Sequence, residues 1–254
     1  MPAKIPLLLS GTVLLAWGLS LALAGCDEKP APATGKADSA PPAASSAPAP
    51  EPPATLILTV DDKAVTANST RIPFEGADPR ARIAAALAGN PRITGQRVTL
   101  AVMRPAKATR VAQAIAALKD AKASSILVKA QKRDGATGEI AVGWDPSPPC
   151  AAVAVIGKDV SISVWTVAGT PGQRFAKGLA GPDLTLGSEG FRKAINACDS
   201  PIAHVAGDES VPFGLLFDLA LTTKDEAAEN KINRALKFGV LLDAPAPGKK
   251  VTPL

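Results

Sequence analysis

Tyrosine is absent from this chain and histidine occurs once; Phe, Trp and Tyr together make up 4% of it. A groove that stacks sugar rings or bases on aromatic faces has little to be built from. One histidine, His204, and three cysteines, Cys26, Cys150 and Cys198, offer no zinc set with ligand spacing. No G-x-S-x-G elbow, phosphate loop or dinucleotide fingerprint occurs, and Gly248-Lys249-Lys250 follows a proline-rich stretch, not a strand. These deficits speak against an enzyme, and no catalytic residue, cofactor or metal ligand is assigned. His204 stands mid-strand in "PIAHVAG" and reads as a packed residue, because no companion exists to make it a base or a ligand. Adjacent Asp61 and Asp62 read as turn residues. The net charge is +5, but its carriers are scattered, as in Arg80, Arg82, Arg92, Arg97, Arg104, Lys107 and Arg110. A nucleic-acid protein needs a denser stripe with aromatics interleaved, so no nucleic-acid partner is expected.

What is present begins with residues 5–25, an uncharged apolar run behind Lys4. That is the layout of a secretory signal. Its end, Leu23-Ala24-Gly25-Cys26, resembles the lipobox of bacterial lipoproteins, in which the cysteine is acylated and cleavage leaves it as the first residue. The resemblance implies a signal peptide over 1–25 and a lipid anchor on Cys26. The alternative is an uncleaved anchor helix, since about 20 apolar residues span a bilayer. Either reading places the remainder outside the cytoplasm, in the cell envelope. Asp27 resembles the acidic signal that keeps enterobacterial lipoproteins in the inner membrane, which favours that membrane over the outer one. Residues 26–54, rich in Pro, Ala and Ser, cannot bury enough apolar surface to offset their ordering entropy, and read as a disordered tether.

Beyond residue 54 the pattern is α+β, and it runs twice. In 55–143, "TLILTV" and "KAVTAN" flank a turn at Asp61-Asp62. Asp78-Pro79 starts a helix. "RVTLAVM" alternates Val98, Leu100 and Val102 inward. Thr109 is placed to cap a second helix, and "SILVKA" and "GEIAVGW" are strands. In 151–242, "AAVAVI" and "VSISVWTV" form a hairpin in which Val160, Ile162 and Val164 share a face. A glycine-rich loop leads to Ser188 as an N-cap, with Phe191, Ala194, Ile195 and Cys198 at helical spacing. "PIAHVAG" is a strand, Thr223 to Glu226 has capping-box spacing, and "KFGVLL" closes the half. Residues 212–221 fit both a strand and a helix. The fold expected is two tandem small domains, each a mixed β-sheet with two helices, divided at "WDPSPPC" and followed by a disordered tail, 243–254.

In the second half, "IAHVAGDESVPFGLLFDLAL" resembles the periplasmic domain of the ExbD/TolR family, with Asp208 in a short turn and Val211-Pro212-Phe213 leading into the second helix. The first half matches more loosely and lacks the Asp turn. The resemblance implies a non-enzymatic accessory to an envelope transport or motor complex, with Asp208, Val211, Pro212 and Phe213 as candidate partner contacts. It also implies a TonB-like protein, a motor subunit or peptidoglycan as partner. One departure matters. Family members carry a titrating aspartate in their membrane helix, whereas residues 5–25 contain no acidic group. This chain is therefore not a proton carrier. Family domains pair between chains; here two sit in one chain about seven residues apart, where effective concentration is high. A monomer with an internal pseudo-dimer is expected. The alternative function is a small-ligand-binding lipoprotein with its cleft between the domains. Cys150 and Cys198 are a candidate disulfide, since export permits one. Cys198 also continues an apolar helix stripe, which fits plain core, and a simple crossover places it at the far end of the sheet, unless the long 168–187 loop reverses that helix.

Overall fold

The computed structural model describes residues 56–179, 181–229 and 236–254. The signal segment, Cys26 and the tether lie outside the described residues. Among the described residues the fold is mixed α+β, with four helices and an eleven-stranded mixed sheet. In the first half, β1 (Ile57–Val60), β2 (Ala64–Ala67) and β3 (Thr70–Pro73) form an antiparallel meander. The Asp61 carboxylate accepts from the amides of Lys63 and Ala64, closing the β1–β2 turn. Helix α1 (Pro79–Leu87) follows, with the Asp78 carboxylate accepting from Ala81 N at 3.0 Å and proline in the first turn. Strand β4 (Arg97–Val102) lies parallel to β1, helix α2 (Ala108–Asp120) crosses over, and β5 (Ser125–Gln131) lies parallel to β4. Strand β6 (Thr137–Val142) turns back antiparallel to β5.

The second half follows this order with a hairpin added before its first helix and without a counterpart of β6. β7 (Ala152–Ile156), β8 (Ile162–Thr166) and β9 (Gln173–Phe175) form the meander. A short β10–β11 hairpin (Lys177–Gly178, Gly181–Pro182) leads to α3 (Leu184–Cys198). Strand β12 (Ile202–Gly207) pairs parallel to β7, α4 (Phe213–Glu229) follows, and β13 (Lys237–Val240) pairs parallel to β12. The sheet order β3-β2-β1-β4-β5-β6-β13-β12-β7-β8-β9 shows the halves meeting edge to edge, through Phe238 of β13 beside Val142 of β6. β5 and β13 run in opposite senses, so strands β3-β2-β1-β4-β5 of the first half and β9-β8-β7-β12-β13 of the second are related by half a turn, with β6 the extra strand between them. Each half would otherwise leave a strand edge with free N–H and C=O groups; pairing the edges removes both.

The helices share one face of the sheet. Leu58, Val60, Val98, Leu100, Ile126 and Val128 point to it from the first half, and Ala154, Ile156, Ala203, Val205, Phe238 and Val240 from the second. The seam is crossed by backbone as well. Ala108 N donates to Val211 O at 2.9 Å, and Phe213 N donates to Ala106 O at 2.7 Å. Helix α2 packs on β12, and α4 packs on β5 and β6, so each half's second helix reaches onto the other's strands.

Several boundaries differ from the sequence reading. Helix α3 starts at Leu184 rather than Ser188, because Asp183 supplies the cap by accepting from Leu186 N at 3.0 Å. Helix α2 starts at Ala108, whose amide is taken by Val211 O, so Thr109 is not its cap. Thr223 does not start a helix. It lies inside α4, where its hydroxyl donates to Leu219 O at 2.8 Å, the i−4 bond that satisfies a buried threonine. Residues 213–221 are helical although their pattern also fits a strand. α4 touches α3, α2 and the sheet at once, so apolar residues recur around more than one side of it. Val160 is a turn residue with φ 56° rather than part of the strand.

Candidate functional site

The face of the sheet away from the helices differs between the halves. In the second half, Ala151, Val153, Val155, Trp165, Val167, Ala206 and Leu241 form an apolar layer on that face. The chain's own C-terminal residues cover it. Val251 is buried in the layer, Val251 N donates to Val167 O at 2.9 Å, and Trp165 Nε1 donates to Lys249 O at 2.8 Å. The tail expected to be disordered is thus packed: a buried indole N–H needs an acceptor, and the tail backbone is the one within reach.

In the first half the corresponding face carries a groove of about 480 Å³. Strand alternation sends Ile57 and Thr59, Thr66, Arg71, Thr99 and Ala101, and Lys129 and Gln131 outward into it. Ile57 and Met103 are 57% and 60% exposed, large apolar groups left in water on the groove wall. Its charges are paired with one another or with neighbours: Arg71 with Asp61 at 2.9 Å and Lys129 with Glu139 at 2.6 Å. Burial alone would raise the Asp61 carboxyl. The amides of Lys63 and Ala64 and the Arg71 guanidinium outweigh it and hold the group below the usual carboxylate range. An apolar floor of β-branched and small residues, edged by neutralised charge, is suited to holding a ligand rather than to moving protons.

His204 projects from the middle strand of the second half. It is 2% exposed, and neither ring nitrogen has a hydrogen-bond partner among the described residues. Burial pushes its pKa down to about 4, so the ring is neutral. Its strand neighbour is Gly239, where a Cβ would stand 2.3 Å from Nδ1. The imidazole fills the space a side chain would otherwise take.

Of the residues marked by the family resemblance, Asp208 accepts from the hydroxyl and amide of Ser210, at 2.6 and 3.0 Å, which holds its carboxyl low. Val211 and Phe213 are buried in the seam between the halves, and Pro212 is exposed beside them. The seam holds a further cluster that the sequence did not mark. The Asp218 side chain on α4, 8% exposed, accepts from both terminal nitrogens of Arg104 at 2.9 and 2.7 Å and from Arg133 Nε at 2.9 Å. Arg104 also donates to Gln131 O at 2.6 Å, and its pKa is raised, first by the Asp218 hydrogen bonds. This carboxylate fastens α4 of one half to two loops of the other. Its partners stand 114 and 85 positions away in the chain, a separation at which no local pattern signals the pairing.

Cys150 and Cys198 are brought together: Cys150 Sγ donates to the Cys198 carbonyl at 3.3 Å. Among the described residues no cluster of three or more His, Cys, Asp or Glu is placed to hold a metal ion, and no helix is long and apolar enough to cross a membrane. No family model, no curated protein and no solved structure matches the chain.

Proposed function

We propose that this chain is a lipid-anchored interaction module of the bacterial cell envelope. It is held at the membrane through Cys26 and offers the first-half groove to an extended segment of a partner polypeptide in a transport or motor complex. In this reading the halves are tandem ExbD/TolR-like domains packed as an internal pseudo-dimer in a monomer, and only the recognition role of that family is kept. The observation that carries it is the difference between the two sheet faces. In the second half a proline-containing segment, residues 243–254, covers the face: it turns at Pro247-Gly248 and packs Val251 into the apolar layer. In the first half the same face is open, with Ile57 and Met103 in water. The chain therefore carries its own example of a polypeptide segment laid across such a face, held by one buried apolar side chain and bonds to its backbone. A small-ligand cleft between the halves is the second reading: a hollow of about 320 Å³ opens there between Lys132, Arg133 and Asp134 of the first half and Leu184, Asp218 and Leu221 of the second, but Arg133 and Asp218 in its wall are already engaged with each other.

The test is site-specific photo-cross-linking from position 103 in cells, with Thr59→Arg as the groove-blocking variant. The expected result is an adduct to one continuous segment of one envelope protein, lost in the Thr59→Arg chain while its melting temperature is unchanged. No adduct, an adduct to phospholipid, or an adduct to a second copy of this chain overturns the reading. Mass spectrometry of the mature chain tests the anchor separately: Cys26 acylated and residues 1–25 gone is expected, and an intact Met1 refutes it.

A further inference from the structure

The two cysteines of the described residues lie 48 positions apart and meet at one end of the second-half sheet. The meander explains how. β7 leads away from Cys150, β8 returns, β9 leads away again, and α3 returns, ending on Cys198. The third strand reverses the helix relative to a simple crossover and brings its last residue back to the start of β7. Both ends are fixed. Ala151 N donates to Pro148 O and Ala168 N to Pro149 O, both at 2.8 Å, which sets the turn presenting Cys150. Asp199, at φ 51°, ends α3 directly after Cys198.

We infer that Cys150 and Cys198 form a disulfide in the mature protein, closing the segment that carries β7, β8, β9 and α3. This rests on the export reading above, because such a bond persists in an oxidising compartment. The reaction is thiol–disulfide exchange with an oxidant bearing its own disulfide, either an envelope oxidoreductase or oxidised glutathione. Exposed Cys150, as thiolate, attacks one oxidant sulfur. The oxidant S–S bond breaks, a mixed disulfide forms, and one thiol leaves. Cys198 then gives up its proton and attacks Cys150 Sγ, and the second oxidant sulfur leaves as a thiol. Two protein thiols lose two electrons and two protons in all, and the oxidant's disulfide gains them. The Cys198 thiol is pushed up to about 12, chiefly by burial and then by the neighbouring Cys150 sulfur. That makes Cys150 the group that meets the oxidant and Cys198 the one that resolves the intermediate.

The test uses the purified full chain, incubated folded with oxidised glutathione, then alkylated and digested with trypsin. Cys150 falls in the peptide 134–158 and Cys198 in 194–224. The expected product is these two peptides joined, at about 2 Da below their summed mass, and absent from Cys150→Ser. The oxidised chain should also melt about 10 °C above the reduced one, as closing a loop of this length implies. Both cysteines still open to alkylation after oxidation, or a linked chain with an unchanged melting point, overturns the inference. A second arm traps thiols by alkylation directly in cells. Linked peptides there support the bond in the mature protein. Free thiols in cells, beside full linkage in vitro, overturn the export reading and leave the pairing of the two sulfurs standing.

Discussion

His204 should make this protein acid-labile in a window where carboxylates contribute little. The ring is buried, neutral and without a hydrogen-bond partner among the described residues, with its pKa at about 4 against an ordinary value of 6.5. The sign follows from linkage. The unfolded chain binds the proton more tightly than the folded one, so the stabilisation is complete above pH 6.5 and is lost as pH falls through 4. The gap between 6.5 and about 4, at about 1.36 kcal/mol per tenfold change in proton affinity, amounts to about 3.4 kcal/mol in the limit, of which about 2 kcal/mol has gone by pH 5. The flanking residues in the sheet, Val153 and Gly239, carry no charge that would answer the imidazolium. The carboxylates held low, such as Asp61, Asp120 and Asp208, add their losses as pH falls through their own lowered values, below the histidine window. Urea unfolding followed by tryptophan fluorescence at pH 7.5, 6 and 5 gives the slope. His204→Leu, an apolar side chain in the same slot, should remove most of the fall between pH 6.5 and 5. Equal slopes for the two proteins would refute the buried neutral ring.

Three further outcomes follow from the packing. Asp218→Ala leaves Arg104 partly buried without its bidentate partner and should cost about 2–4 kcal/mol, with little contribution from the more exposed Arg133; an unfolding midpoint within error of wild type would show that the seam does not depend on this cluster. Removing residues 244–254 uncovers Val153, Val155, Trp165 and Leu241, so the melting temperature should fall by roughly 5 °C or more and the chain should bind a hydrophobic dye, whereas an unchanged melt would mean that the tail adds nothing. Gly190→Ala puts a Cβ 2.2 Å from Phe175 Cζ and should cost about 1–3 kcal/mol, with Phe175→Ala in the same chain recovering part of the loss; additive losses in the double variant would place the clash elsewhere.

Local chemistry was readable from the chain. Asp78-Pro79 begins a helix because a carboxylate and a proline suit the first turn wherever they stand. Val98, Leu100 and Val102 face inward because side chains alternate along any strand. The hairpins at Asp61-Asp62 and Gly157-Lys158-Asp159 need only neighbours two to four residues away. Those signals settled the α+β class and most strands. What they could not settle is which edge meets which. β6 and β13 close one sheet across both halves, and an isolated half has the same periodicity with or without that partner. The helical state of 213–221 was decided by burial on several sides at once, which erases the contrast between an apolar and a polar face. Asp218 draws Arg104 and Arg133 from far along the chain, Trp165 takes the tail carbonyl of Lys249, and β9 turns α3 so that Cys198 comes back to Cys150. Each depends on where the fold brings distant segments. The sequence by itself determined the segments and their inward faces, because backbone sterics and side-chain period act within a few residues. Only the tertiary structure decided the seam, the covered and open faces of the sheet, and the meeting of the two thiols, because these are distances between residues that share no turn, helix or strand.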